Sequence, residues 1–140
     1  MNPNAAGYLS LARRGRMLEI GEEPVGALCR ARKARLVIVA SDASDHTFRR
    51  VKSFVAGSKQ IWMKVDCTKD ELGDLIGYSS VAMAAFVDVR MALAFVQALG
   101  EPEKHRELLA ALEEKSLRAE QRQKEEKAHQ KNLRRGGKKK

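Results

Sequence analysis

The sequence predicts an α/β fold: a three-layer α-β-α sandwich with a small mixed sheet, followed by a C-terminal charged helix and a disordered basic tail. Three observations predict it. Segments with apolar residues at helical spacing alternate with short uncharged runs along residues 1–100, the order expected of a sheet covered by helices. One run, LVIVA at 36–40, is branched and has no polar alternation, which suits a strand buried on both faces. Beyond Gly100-Glu101-Pro102 the apolar residues thin out, and past Leu117 almost none remain.

The elements follow in order. Tyr8, Leu9, Leu11 and Ala12 mark a first helix, stopped at Gly15 and leaving Arg13, Arg14 and Arg16 together. Met17–Ile20 alternates weakly and predicts a brief edge strand. From Glu22 a second helix carries Val25, Leu28 and Cys29 at i, i+3 and i+4, with Pro24 in its first turn, where a missing N–H costs nothing. LVIVA is the central strand. Ser44 caps a third helix with the stripe Phe48, Val51, Phe54 and Val55, closed by Gly57. Ile61–Val65 predicts a strand, Thr68–Leu72 a short helix with Asp70 and Glu71 near its start, and LGDLIG at 72–77 a turn with two glycines. Val81–Val87 is a last strand and Met91–Leu99 a last core helix.

This divides the chain into a domain over 1–100, a charged helical extension over 101–130 and a disordered basic tail over 131–140. The extension has an apolar stripe of Leu108, Leu109 and Leu112, and Glu to Lys or Arg spacings near i+4.

The 140 residues hold 27 Lys and Arg against 18 Asp and Glu, a formal net charge of +9. Such an excess makes a polyanion an expected partner, although charge alone does not choose one. The cations cluster at Arg13, Arg14 and Arg16 and at Arg30, Arg32, Lys33 and Arg35. The competing explanation is a solvated face, with cations favoured at helix C-termini by the macrodipole. Cys29 and Cys67 form no CxxC and predict reduced core thiols. No secretory signal precedes residue 17, and no run approaches the roughly 18 apolar residues of a membrane span. A cytoplasmic protein, without membrane contact and monomeric, is expected.

Residues fit for catalysis are sparse. No phosphate loop of the Walker or dinucleotide type occurs, and His46, His105 and His129 have no nucleophile arranged near them. Asp42 and Asp45 could form a carboxylate pair, but Asp-x-Ser before a helix is more often capping chemistry. Neither an enzyme nor a cofactor or metal is expected.

The order of motifs says more. GYLSLARRGRMLEIGEEPVGALCRARKARLVIVASDAS, then LGDLIG, then a terminal apolar strand, resembles the L-seven-Ae/L-thirty-e superfamily of kink-turn RNA-binding ribosomal proteins, and within it the bacterial YlxQ-type branch. The resemblance covers residues 7 to about 99. It rests on Gly21 opening a helix fifteen residues before LVIVA, a D-A-S exit, and a later LGxxxG. It implies the α-β-α sandwich and binding to kinked RNA loops with tandem sheared G·A pairs, with structured or ribosomal RNA, and possible association with the ribosome.

The resemblance also implies a site. The archaeal pattern Gly-x-Asn-Glu-x-x-Lys falls on Gly21, Glu23, Pro24 and Ala27. Glu23, beside Glu22, can still accept from a guanine edge, and Gly21 lets RNA approach the helix N–H groups. Pro24 and Ala27 supply neither an acceptor nor a cation. The second contact region falls on Gly77, Tyr78, Ser79, Ser80 and Val81, where a tyrosine suits stacking on an unpaired base. Arg13, Arg14 and Arg16 are expected to flank the Gly21 turn, and Lys33 to add positive field. The rival function is a protein-interaction adaptor that pairs the extension with a partner through Leu108, Leu109, Leu112 and Leu117. That reading requires the stripe to stand free of the domain.

Overall fold

A computed structural model describes residues 1–138, with side chains as far as residue 133. The elements are α1 (Pro3–Arg14), β1 (Leu18–Ile20), α2 (Glu22–Arg30), β2 (Leu36–Val39), α3 (Asp45–Val55), β3 (Trp62–Lys64), α4 (Lys69–Ile76), β4 (Met83–Phe86), α5 (Val89–Leu99) and α6 (Arg106–Lys138). The sheet has the order β1-β4-β2-β3. β2 and β3 run parallel, and β4 runs antiparallel to both β1 and β2. The brief strand at Met17–Ile20 is therefore an edge, and LVIVA is central, as expected.

Alternation along the two inner strands sorts the core into two layers. Leu36 and Ile38 of β2 and Ala84 and Phe86 of β4 face α1, α4, α5 and α6, where Leu9, Leu72, Phe95 and Leu112 meet them. Val37, Val39, Met83 and Ala85 face α2 and α3, against Val25, Cys29 and Val51. Every residue of β2 and β4 is buried, which is why neither strand alternates with polar residues. These two layers of helix around one sheet are the α-β-α sandwich.

Several local expectations are corrected. LGDLIG is not a free turn: residues 72–76 are the second half of α4, which a capping box at Thr68 and Glu71 starts and left-handed Gly77 ends. The sequence misleads because a glycine inside a helix resembles a breaker. At the end of α1, Gly15 has an ordinary φ of −82°. The left-handed residue is Arg16, with φ 59°; its N–H donates to the Arg13 carbonyl and that of Met17 to the Ala12 carbonyl, the Schellman closure. Leu11 faces solvent at 46% exposure, whereas Ala5, Leu9 and Ala12 are buried.

The first turns of α6 fold back on α5. Leu112 is fully buried, Ser116 nearly so, and Leu108, Leu109 and Ala119 pack against the same cluster as Leu9 and Phe95. The leucine stripe is thus largely consumed by the domain, and the hydrophobic core continues past residue 100. Leu117, 66% exposed, is off that face. Arg90 reaches Gln123 at 2.9 Å, so contact extends nearly five turns along a helix of about 50 Å. The backbone of 131–138 continues α6 instead of leaving it, and the rest of the expected tail, 139–140, lies outside the described residues. No helix among the described residues is long and apolar enough to cross a membrane.

Leu112→Ala is expected to cost about 2–5 kcal/mol of unfolding free energy through the cavity it leaves, and Leu117→Ala no more than about 0.5. Urea denaturation of the full chain compares them. Equal effects would mean that α6 does not pack as described.

Candidate nucleic-acid interface

One end of the sheet gathers three helix starts. Because β2 and β3 are parallel and β1 is antiparallel to β4, all three finish where β4 begins. α2, α3 and α4 start there, with the positive ends of their dipoles; side chains cap α3 and α4. The Gly21 N–H donates to the Met83 carbonyl at 3.1 Å, which ties the start of α2 to the first residue of β4. Gly21 has φ 101° and ψ 163°, a conformation open essentially to glycine alone. No side chain caps α2, so the amides of Glu22 and Glu23 are available. Pro24 has none.

The loop leading into β4 returns to this end from the C-terminus of α4, where the Val81 N–H donates to the Lys69 carbonyl at 3.0 Å. Gly77 takes the left-handed conformation, and its N–H and that of Tyr78 both donate to the Gly73 carbonyl, at 2.7 and 2.8 Å. This turn folds back so tightly that a Cβ on Gly73 would sit 2.6 Å from the Tyr78 carbonyl oxygen and 3.0 Å from Ser80 N. The LGxxxG spacing therefore encodes a close approach of the loop to α4. Tyr78 is 47% exposed, and the Arg13 guanidinium lies over its ring at 5.2 Å from the centroid. That cation holds one face of the ring and places a positive charge beside it. Gly77, Ser79 and Ser80 are exposed.

Not every expected residue joins this end. Val81 is 2% exposed and belongs to the core, because two residues before β4 the chain has already turned inward and its N–H donates to the Lys69 carbonyl. Arg16 is corrected too: the turn holding it precedes β1, where the Met17 carbonyl accepts from Val87 N–H as β4 leaves the sheet. The whole of β1 separates it from Gly21. Lys33 also lies at that far end, in the turn before Arg35, whose N–H donates to the Phe86 carbonyl. Arg14 is exposed in the last turn of α1. Glu22 forms an ion pair with Arg50 of α3 at 2.5 Å, a partner with no motif to announce it; Glu23 is exposed.

The remaining candidates have local roles. Asp42 accepts the Lys69 N–H at 2.7 Å, capping chemistry at the start of α4. Ser44 accepts from Thr47 N–H. The Glu71 carboxyl is held below its usual range by the Thr68 backbone N–H and then by the Thr68 hydroxyl, as a capping box requires. Cys29 and Cys67 are free and buried, and burial pushes both thiols up, which suppresses the reactive thiolate.

No family model matches the chain, and no curated protein matches its sequence. Solved structures do. A Bacillus halodurans protein described as of unknown function shares 24% identity at a TM-score of 0.61, covering 80% of this chain and 99% of its own. A Giardia lamblia 15.5kD RNA binding protein shares 15% identity at a TM-score of 0.57, covering 74% of this chain and 98% of its own. These likenesses establish a shared fold.

Two glycine substitutions separate the two halves of the site. At Gly21 a Cβ would meet nothing closer than Pro24 Cδ at 3.8 Å, so Gly21→Ala is expected to cost about 1–3 kcal/mol in backbone strain alone and leave the 77–80 amides unmoved. Gly73→Ala forces backbone apart, is expected to cost about 1–3 kcal/mol, and shifts those amides. Urea unfolding with amide NMR reads both; unshifted loop amides in Gly73→Ala would refute the close approach.

Proposed function

We propose that the chain is a non-catalytic RNA-binding protein of the L-seven-Ae/L-thirty-e type, in its YlxQ-like branch, that recognises a kinked or similarly bent structured RNA. The observation that carries this is the shared sheet end. An uncapped helix start behind a positive-φ glycine is bonded to the first residue of β4, and an exposed tyrosine backed by an arginine stands on the loop that enters that strand. Two amides and the α2 dipole suit a phosphate or a base edge, Glu23 suits a guanine donor edge, and the free face of Tyr78 suits an unstacked base. The likeness of fold to a protein described as RNA-binding supports the same reading.

The mechanism is population shift. An RNA that samples straight and bent states is drawn to the bent one by as much as the protein's affinity for the two differs. A continuous duplex keeps its bases stacked and its guanine edges paired, so it offers little to Tyr78 and Glu23. It still offers phosphates, and the excess of cations binds those without discrimination. Association with ribosomal RNA, in a cytoplasmic setting, is the corresponding biological context.

The adaptor alternative loses most of its surface, since Leu108, Leu109 and Leu112 pack on the domain. Leu117 alone of the four is strongly exposed.

At about physiological salt, the full chain is expected to prefer a kink-turn duplex over the same duplex with its sheared G·A pairs replaced by Watson-Crick pairs. Tyr78→Ala is expected to remove one stack, about 1–3 kcal/mol, or roughly five- to 150-fold in Kd for the kinked RNA, with little change for the straight one. Fluorescence anisotropy with both labelled duplexes measures it. Equal losses on the two RNAs would refute the assignment of Tyr78.

A further inference from the structure

The end of the sheet opposite Gly21 carries a second concentration of positive charge. Arg32 and Arg35 come from the α2–β2 turn, Lys59 from the α3–β3 turn and Lys115 from α6; together with Gln60 they border a pocket of about 580 Å³. No acidic side chain lines it. Each wall is anchored. Gln60 accepts from Ala34 N–H and donates to the Cys29 carbonyl, both at 3.0 Å, and so locks the two turns together. Lys115 donates to the Lys59 carbonyl at 2.9 Å, and Arg32 to the Gly57 carbonyl at 3.4 Å.

The backbone at Arg32 is fixed by the helix ending, as at Arg16. Arg32 occupies the left-handed position that ends α2, with φ 59°; its N–H donates to the Cys29 carbonyl and that of Lys33 to the Leu28 carbonyl. Glycine is the ordinary residue there, so an arginine is held at some conformational cost where a glycine would be relaxed. Arg32 lines the pocket, and its guanidinium donates to the Gly57 carbonyl.

We propose that this pocket is a phosphate-binding site, and that its occupant is the backbone of an RNA strand passing the end of the sheet opposite Gly21. Three elements converge four cations on one cavity, and lysine and arginine donors with no competing carboxylate are the chemistry that recognises a phosphate. The identification of the occupant as RNA rests on the RNA-binding reading above; affinity for phosphate does not. Among the described residues the charge is only partly compensated: burial and then the neighbouring Arg35 push the Lys115 ammonium down, Lys59 adds to this, and Glu114, which opposes it, is paired with Arg118 at 2.6 Å. A bound phosphate would relieve that repulsion. The two sites lie at opposite ends of the central strands, about 13 Å apart along β2 alone. An RNA whose backbone doubles back could therefore touch both.

The test uses the full chain labelled with ¹⁵N. It is titrated at constant ionic strength with inorganic phosphate and, separately, with a single-stranded uridine ten-mer, and the amides of residues 32–35 and 57–60 are followed. Both probes are expected to shift these amides saturably, the RNA displacing phosphate. The double variant Arg35→Gln with Lys115→Gln is expected to weaken each by about tenfold or more, and phosphate to raise the Lys115 pKa. Should the double variant lose its fold, Arg32→Gln, altered at an exposed residue, serves in its place with a smaller loss. Tyr78→Ala is expected to leave phosphate affinity in this pocket unchanged, so failure of kinked-RNA recognition is read separately. Phosphate binding that the RNA cannot displace would keep the site and overturn RNA as occupant in favour of a small phosphorylated ligand. Absence of saturable phosphate shifts, or unchanged affinity in the variants, would overturn the site itself.

Discussion

β4 must form hydrogen bonds on both edges while both of its faces are buried, and the rest of the molecule is arranged around that requirement. All four of its residues pair with β2 and three, Ala84–Phe86, also pair with β1, and its side chains belong alternately to the two core layers. An unpaired amide there would cost the desolvation of a buried polar group, about 1–3 kcal/mol. The ladder therefore reaches past the strand ends. The Met83 carbonyl takes Gly21 N–H and the Phe86 carbonyl takes Arg35 N–H. One bond fixes the start of α2 beside the Tyr78 loop; the other fixes the start of β2 beside the cationic pocket. Both candidate surfaces are set by the ends of one strand.

The short sheet leaves little area for a core, and the helices make up the difference. α1, α4, α5 and α6 cover one face with the larger cluster, while α2 and α3 cover the other. α6 matters because Leu112 completes the larger cluster, and Lys115, one turn on, reaches Lys59. Core packing and surface charge are thus delivered by adjacent turns of one helix. Among the described residues no buried side-chain nitrogen or oxygen lacks a partner, so the cost of the polar groups near the surface is met locally and the exposed cations are left for solvent or a ligand.

Sequence legibility varied with the range of the interaction involved. LVIVA read as a central strand because burial on both faces removes polar alternation, a property of the residues themselves. Ser44 and Thr68 read as helix starts because capping is a bond between near neighbours. Gly73 was misread as part of a turn, since what demands a glycine there is backbone five to seven residues away folding back onto the helix. Val81 was read as a contact residue because the resemblance supplied a loop and not its depth in the core. Arg16 was expected beside the Gly21 turn because the two are near in sequence, although the turn that closes α1 holds it ahead of β1 and the whole of that strand lies between them.

By itself the sequence determined the alternation of helices and strands, the central position of residues 36–40, the glycine at the start of the second helix and the excess of positive charge. These follow from periodicity, capping and composition, which act over a few residues. Only the tertiary structure decided which cations face which end, that Arg13 lies over Tyr78, that the leucines of α6 face inward, and that Arg32, Arg35, Lys59 and Lys115 surround one cavity. The reason is that contacts across 25 to 80 residues of chain depend on strand order and register, and a charge carries no mark in the sequence of the neighbour it will meet.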